Sequence, residues 1–514
     1  MPGTPRVTPP PVAWGAIGAV VAAKLVLHAL SSGPLAWGYM TDELYFLDCS
    51  DRLAWGYVDH PPLSVALLVP VRALLGDSIP ALRVLPTLFS AAAVLATGLL
   101  AREMGGGRVA QGLAALALLC APVSLALGTY HSMNPIDQAL WALGFLLLAR
   151  LLNGGGERLW LALGLLVGIG LLNKVSMSWF AAGLGAGLLL TRERSRLATP
   201  WPWIAGAIAL ALVSPFLWWQ RQHGWPFLEF SREAARYKVG AVSPLALLGV
   251  QILAMNPIAA PIWIAGLVAC FTSPALARYR PLAWIFVTTF ALLAASGSAR
   301  IHYLAPAFPV LLAAGAIVVE RAGAERPWLP RAAAIALAIS GSIALPLSVP
   351  LLSPAATVAY QNAIGFSPPQ ERESSGVLPI HLALFQHAEA TLDAVSRGFE
   401  TLTPEERARV EILTDSFGET GAIDRLGPQR RLPSRSIGTH NQYWLWGPGD
   451  ATGELVLAVR ESQSELEQWF HRCDRVAEIE CPYCMPMLAA ESVFLCRDPR
   501  RPLREMWAEM KIYR

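Results

Sequence analysis

The chain has 514 residues, of which 54% are hydrophobic and only 15% are charged. One soluble core cannot bury so many apolar side chains, so lipid must cover many of them. The formal net charge of +3 is too small to indicate a nucleic-acid partner, and seven cysteines in this length exclude a disulfide-based small fold. The composition therefore indicates a polytopic membrane protein.

The first apolar segment runs from Val12 to about Leu30. A cleaved signal peptide is the competing interpretation. The segment is somewhat long for the apolar part of a signal peptide, and no clear A-x-A cleavage site follows it. We therefore predict a retained first membrane span.

Further apolar segments follow along the first two thirds of the chain. A span needs about 20 apolar residues, and several segments are shorter or rich in glycine, so we predict about 11–13 spans in a mainly α bundle. The segment 63–75 is too short and contains Pro70 and Arg72, which indicates a helix lying at the membrane interface. The candidate spans are 12–31, 80–101, 109–129, 136–152, 159–173, 176–191, 201–219, 244–271, 281–297, 303–320 and 331–350.

The connecting loops alternate in charge. By the positive-inside rule the arginine-rich loops are cytoplasmic, which puts the N-terminus inside and the C-terminus outside. The opposite loops carry Lys174, Arg232, Arg236, Lys238 and Arg300. The rule disfavours cations there, and an anionic ligand on that face would explain them. The arginines of the cytoplasmic set are Arg102, Arg108, Arg150, Arg158, Arg192, Arg194, Arg196, Arg278, Arg280, Arg321, Arg326 and Arg331.

The composition changes after Leu352, where charge density rises and long apolar segments end. We predict a transmembrane domain over 1–352, with an outer loop over 32–79, and a soluble α/β domain over 353–514. Thr403 is a good N-cap for a following helix. Residues 464–472 suggest a second helix, and the patterns at 454–459 and 492–496 are typical of strands.

The outer loop holds the most informative residues. Asp42 and Glu43 follow the first span, and Asp59-His60-Pro61-Pro62 closes the loop. Carboxylates close to a bilayer are costly unless they have a partner or a function. The simpler interpretation is a solvated loop in which Thr41 or Asp42 caps a short helix.

This pattern, with Asp-Glu after the first span and Asp-His-Pro-Pro after an aromatic-rich helix, resembles membrane glycosyltransferases of the GT-C class, family 39. That family includes protein O-mannosyltransferases and lipid A aminoarabinose transferases. The resemblance covers most of the chain, and no one motif decides it. It continues at Tyr130-His131-Ser132-Met133-Asn134, Leu172-Asn173-Lys174, Gln222-His223-Gly224-Trp225-Pro226, His302-Tyr303-Leu304-Ala305-Pro306 and 438–448.

The resemblance implies transfer of a sugar, with inversion, from a polyprenyl phosphate to an acceptor hydroxyl at the outer face of the plasma membrane. The acceptor, whether protein, lipid or glycan, stays unspecified. A hydroxyl nucleophile needs a positioned base, and by resemblance Asp42 is that base. Glu43 then supports the loop or the acceptor, and Asp59 and His60 match the family's residues before the two prolines.

A phosphate leaving group needs cations and hydrogen-bond donors. By resemblance Lys174, Arg300 and Tyr303 contact the donor phosphate, although Lys174 could instead be a lysine that extends to the membrane surface. Asn134 and Asp137 follow the next outer turn and are candidates to support the acceptor. Relatives often have Asp near Asn134, which puts an ionic role there in doubt.

The sequence indicates no certain cofactor and leaves metal dependence open, because the Asp42-Glu43 pair could hold a divalent cation. The late cysteines Cys473, Cys481, Cys484 and Cys496 leave disulfides, a zinc site and free thiols open. The alternative function is a transporter or lipid flippase, which would usually show two related halves; a scaffold that has lost catalysis is a third alternative.

Overall fold

The computed structural model describes residues 8–237, 243–297, 300–368, 376–433 and 435–514. Helices dominate the first two thirds of the chain, as the apolar segments predict. In chain order they are α1 Trp14–Ser32, α2 Thr41–Asp51, α3 Leu63–Leu75, α4 Ile79–Leu82, α5 Val84–Glu103, α6 Arg108–Leu119, α7 Pro122–Leu127, α8 Met133–Leu152, α9 Leu159–Asn173, α10 Met177–Leu189, α11 Trp201–Gln222, α12 Pro226–Tyr237, α13 Pro244–Ala254, α14 Ala260–Thr272, α15 Arg280–Ser296, α16 Pro309–Ala322 and α17 Leu329–Ser348.

The predicted class, a mainly α membrane bundle with a C-terminal α/β part, is confirmed. Within the described residues six helices are long and apolar enough to cross a membrane, or seven if one bent pair counts as a span. The other predicted spans are helices too, but they are shorter or broken. The short interface helix predicted over 63–75 is present as α3.

Two predicted continuous spans are interrupted. The span expected over 109–129 is divided into α6 and α7, because Pro122 begins a new helix and lacks the N–H that would continue the first. The span expected over 244–271 bends by 107° between α13 and α14. Asn256 lies at the bend with a φ of 75°, and Pro257 follows it.

The two sets of loops identified by charge lie at opposite ends of the bundle. At the arginine-rich end, Asn153 donates to the Glu103 carbonyl at 2.7 Å and accepts from the Tyr279 hydroxyl at 2.7 Å. At the other end, Gln220 donates to the Tyr57 carbonyl at 3.0 Å, and Trp37 donates to the Leu352 carbonyl at 2.7 Å. The acidic outer loop and the C-terminal part therefore share one end.

The C-terminal part is a five-stranded mixed sheet with helices. The strand order is β2-β1-β3-β5-β4; β1 pairs in parallel with β2 and β3, and β5 pairs antiparallel with β3 and β4. The elements are α18 Pro354–Ala363, α19 Ile380–Ala383, α20 His387–Glu400, α21 Pro404–Arg407, β1 Glu411–Thr414, α22 Phe417–Leu426, β2 Ile437–Gly438, α23 Asn441–Trp446, β3 Leu455–Arg460, α24 Gln463–Leu466, β4 Phe470–Glu478, α25 Pro486–Ala489, β5 Ser492–Pro499 and α26 Leu503–Met506.

The local predictions for this part are largely confirmed. Thr403 caps α21, and both predicted strands are present as β3 and β5. The helix predicted over 464–472 is wrong beyond Leu466, because Phe470 to Arg472 pair with β5 instead.

The late cysteines form two disulfides, Cys473–Cys496 between neighbouring strands and Cys481–Cys484 in the loop before β5. The expectation that at least one pair is oxidised is confirmed. Disulfides persist in oxidising compartments, so they agree with a C-terminal part that lies outside the cytoplasm.

Helix α22 packs directly against α2, the helix that begins with the Asp-Glu pair. A Cβ atom at Gly418 would lie 2.8 Å from the Thr41 side chain, and one at Gly421 would lie 2.9 Å from Leu44 Cβ. Glycine at these two positions therefore allows the close approach. Arg425, one turn further, forms ion pairs with Asp48 and Asp51 of α2.

Candidate active site

Asp42 lies in the first turn of α2, but it is not the residue that caps the helix. The N-cap is Met40, whose backbone N–H donates to Glu43 Oε2 at 2.9 Å. Glutamate three residues after the N-cap is the favoured partner of that N–H. Thr41 and Asp42 were expected as caps on the simpler interpretation, and that expectation is wrong. The Asp42 side chain is partly exposed.

Glu43 points away from solvent and is held by four donors. Arg83 donates to both carboxylate oxygens, at 2.9 and 2.8 Å, and neither side chain is accessible to solvent. The backbone N–H groups of Met40 and His131 complete the set, at 2.9 and 3.0 Å. Glu43 thus connects the start of α2 to the helix near Arg83 and to the turn before α8.

Tyr130 interacts with both Asp42 and a cation of the outer end. Its buried phenol interacts electrostatically with Asp42 and Arg300, and its oxygen hydrogen-bonds with the Asn134 side chain. Burial raises the pKa of Tyr130, and the nearby Asp42 charge raises it further. The phenol therefore stays protonated, as a hydrogen-bonding group between a carboxylate and a guanidinium.

Lys174 lies at the break between α9 and α10 and contacts the same group of residues at the outer end. Its Nζ donates to Asn134 Oδ1 at 2.7 Å and lies 3.8 Å from Asp137 Oδ2. It also lies 5.4 Å from the centre of the Tyr303 ring, and it interacts electrostatically with Arg300. Five of the predicted site residues, from three separate outer turns, therefore form one cluster, and Tyr130 connects that cluster to Asp42.

Asp137 is buried beneath this cluster. It accepts from the Ser176 hydroxyl at 2.8 Å, and its second oxygen has no hydrogen-bond partner among the described residues. A carboxylate at this position balances the charge of Lys174 and holds the lysine side chain at the break between α9 and α10.

Asp59 and His60 lie on another side of α2, against the C-terminal part. Asp59 accepts from the Tyr45 hydroxyl at 2.7 Å and from Asn441 Nδ2 at 3.3 Å. The buried His60 ring stacks on Phe46 with centroids 4.7 Å apart. These contacts hold the loop to the C-terminal part, and they do not join the cluster around Tyr130.

A divalent cation at Asp42-Glu43 would have little help from Glu43. All four contacts of the Glu43 carboxylate are with N–H donors, two of them from a guanidinium, and such donors compete with a cation for the same oxygens. A cation near Asp42 would need other ligands.

Sequence reasoning missed two residues of this site. Tyr130 belongs to one of the motifs, but the pattern predicts no role for it, and no motif contains Arg83. Arg83 begins a helix of apolar residues at the outer end, where the positive-inside rule disfavours arginine. A cation at that position, close in sequence to the acidic outer loop, was the available signal.

Two comparisons bear on this arrangement. Residues 59–219 match a family model described as dolichyl-phosphate-mannose-protein mannosyltransferase. The chain is similar to the structure of ArnT from Cupriavidus metallidurans bound to undecaprenyl phosphate, with a TM-score of 0.59, 15% identity, and coverage of 94% of this chain and 98% of that one.

The structure of the same ArnT in the apo state matches with a TM-score of 0.59, 16% identity and the same coverage. No curated protein matches the sequence closely. At this identity the structural likeness establishes the fold over nearly the whole chain, and the family match falls on the segment that contains His131, Asp137 and Lys174.

Proposed function

We propose that this chain is a membrane glycosyltransferase of the GT-C class, and that it moves a monosaccharide from a polyprenyl-phosphate donor to an acceptor hydroxyl, with inversion at the anomeric carbon. One observation carries the proposal. The buried phenol of Tyr130 interacts electrostatically with a partly exposed carboxylate, Asp42, and with Arg300, which in turn interacts with Lys174.

The cations suit a phosphate leaving group. When the glycosidic C–O bond breaks, its electron pair stays on the phosphate, and negative charge grows there. Lys174 and Arg300 stabilise that charge where it develops, which is how preorganised cations lower a barrier. Undecaprenyl phosphate is bound in the similar ArnT structure, and a lipid of that class is the donor carrier we propose here.

Asp42 is proposed as the base. The acceptor oxygen attacks the anomeric carbon from the side opposite the phosphate, and its proton passes to an Asp42 oxygen. One displacement of this kind inverts the anomeric configuration and needs only one catalytic carboxylate. Since Met40, not Asp42, caps α2, capping does not account for Asp42.

The remaining site residues position these groups. Glu43 and Arg83 fix the first turn of α2, and Asn134 and Asp137 orient Lys174. Tyr303 lies beside Lys174 at the mouth of the cluster. Asp59 and His60 support the loop against the C-terminal part.

We further propose that the chain lies in the plasma membrane with its active site and C-terminal part outside the cytoplasm. The arginine-rich loops meet at one end of the bundle and the Asp42 cluster at the other. The positive-inside rule assigns the first end to the cytoplasm. The disulfides of the C-terminal part agree with this orientation.

The direct test offers purified protein a panel of polyprenyl-phosphate sugars together with membrane extract as the acceptor source. Release of free polyprenyl phosphate, and an inverted anomeric configuration in the product, would support the proposal. Movement of an intact donor across reconstituted vesicles, without cleavage, would overturn it in favour of a flippase.

A further inference from the structure

A second cluster of ionisable side chains lies in the C-terminal part and plays no role in the proposed transfer. His387 begins α20, Glu419 lies on α22, and Glu491 immediately precedes β5. One nitrogen or oxygen from each of the three lies within 4.8 Å of the others. His387 Nε2 is 3.2 Å from Glu419 Oε1, and all three side chains are buried.

The hydrogen bonding of this cluster is incomplete. Oε2 of Glu419 and Oε2 of Glu491 have no donor among the described residues, although the two carboxyl groups contact each other. Arg460 interacts electrostatically with Glu491, but its guanidinium is paired with Asp415 at 3.0 Å. Two buried carboxylates in contact repel each other strongly unless a proton or a cation lies between them.

We propose that His387, Glu419 and Glu491 form a binding site for one divalent transition-metal ion, with zinc as the ion that fits them best. A divalent cation neutralises two carboxylates and gives the unpaired oxygens a partner. Zinc takes imidazole nitrogen and carboxylate oxygen at about 2.0–2.2 Å, which three atoms this close reach with small side-chain movements. The Thr391 hydroxyl also lies near the set, 3.4 Å from His387 Nε2.

The site would have a structural role at the joint between the two parts of the chain. Glu419 lies between Gly418 and Gly421, the glycines of α22 that contact α2. Cys481 of the disulfide loop contacts the carbonyl of Gln386, next to His387. A metal ion would therefore connect α20, α22 and the loop before β5. Of these, α22 is the helix that packs against α2, which carries Asp42.

The experiment uses the full-length protein in detergent, purified without chelator, incubated with zinc chloride and dialysed. Elemental analysis should find about one zinc ion per chain. The variants Glu419→Gln and Glu491→Gln should lose most of it, because an amide is a poor zinc ligand. Glu405→Gln, at an exposed position of the same domain, is the matched control and should keep the metal.

A second measurement does not depend on the variants folding. Saturating zinc should raise the melting temperature of the chelator-treated native protein by about 2–3 °C at a hundredfold excess over Kd. No bound zinc and no thermal shift would overturn the proposal and leave a proton shared between the two carboxyl groups. Equal zinc content in the Gln variants and the control would also overturn it, since the metal would then be held elsewhere.

Discussion

Glu43 and Arg83 form a fully buried ion pair between residues 40 positions apart in sequence. The guanidinium contacts both carboxylate oxygens and also donates to the Gly38 carbonyl at 2.6 Å. The pair thus joins the chain before α2, the first turn of α2 and the start of α5. Asp42 is the neighbour of Glu43, so this pair determines where its carboxylate lies.

Loss of one partner of this pair should destabilise the protein strongly. Glu43→Ala would leave the Arg83 charge buried and unpaired, which typically costs about 3–5 kcal/mol. Removing both charges in Glu43→Ala/Arg83→Met should cost less than Glu43→Ala alone. Thermal unfolding in detergent measures both. Glu509→Ala removes a partner of an exposed ion pair and should leave the melting temperature nearly unchanged. If the double variant melts below Glu43→Ala, the unpaired charge is not the cause.

Asp42→Asn separates catalysis from structure. Asn is close in shape and cannot accept the proton of the acceptor hydroxyl. Turnover should fall about 10²–10⁴-fold, the usual contribution of a general base, while donor affinity changes much less. Turnover and donor binding are measured on the same preparation, with Asp450→Asn, at a fully exposed position, as the control. Near-normal transfer by Asp42→Asn would remove Asp42 as the base.

The sequence predicted the helices better than their connections. Long apolar segments identify helices because each must cover its backbone polar groups internally in lipid. The breaks at Pro122 and Asn256 were missed, since apolar composition continues across both. The strand at Phe470 was predicted as helix because its pairing partner, β5, follows later in the chain, and pairing overrides local propensity.

The site was predicted in part, for a related reason. Lys174 and Arg300 stood out as cations on the face where arginine and lysine are disfavoured. The cap of α2 could not be predicted, because Met40 has no usual capping group and Glu43 provides the contact instead. The Glu43–Arg83 pair depends on tertiary packing between distant segments, which one sequence does not reveal.

Lys174 and Arg300 should govern donor affinity. Lys174→Ala or Arg300→Ala removes a cation from the proposed phosphate site, and charge-assisted contacts are about twice as strong as neutral ones. Binding of a polyprenyl-phosphate sugar should weaken at least tenfold, about 1.4 kcal/mol. Arg409→Ala, at an exposed position of the C-terminal part, is the control. Equal binding by all three variants would contradict a phosphate site in the cluster.

The orientation can be tested with reporter fusions. A reporter after Arg196, between α10 and α11, should report the cytoplasm, and one at Arg514 should report the opposite side. Five crossings separate the two points if α13 and α14 act as one bent span and the shorter helix α16 also crosses. A fusion after Arg326 repeats the cytoplasmic test nearer the C-terminus. Reporters at Arg196 and Arg514 on the same side would be incompatible with the positive-inside assignment.

Asp424 should make the docking of α22 dependent on pH. Burial, helped by the negative charge of Asp48, raises the pKa of Asp424 from 3.8 to about 7. Its carboxyl accepts from the Ser436 N–H at 2.6 Å and from the Ser436 hydroxyl at 2.9 Å. Between about pH 4 and 7 the folded protein therefore holds a proton that the unfolded chain has lost.

The sign of the effect follows from that difference. The Asp424 proton stabilises the folded protein fully below about pH 4, and this stabilisation is lost as the pH rises through about 7. Asp424→Asn keeps an oxygen for Ser436 and cannot titrate, so its melting temperature should fall less than that of the native protein between pH 5 and pH 8. Asp450→Asn, at a fully exposed position, should follow the native protein across the same range. A difference in melting temperature between the native protein and Asp424→Asn that stays constant at every pH would mean that Asp424 does not titrate in this range. The pH dependence of the native protein would then have to come from other groups of the α2–α22 contact, such as Asp48.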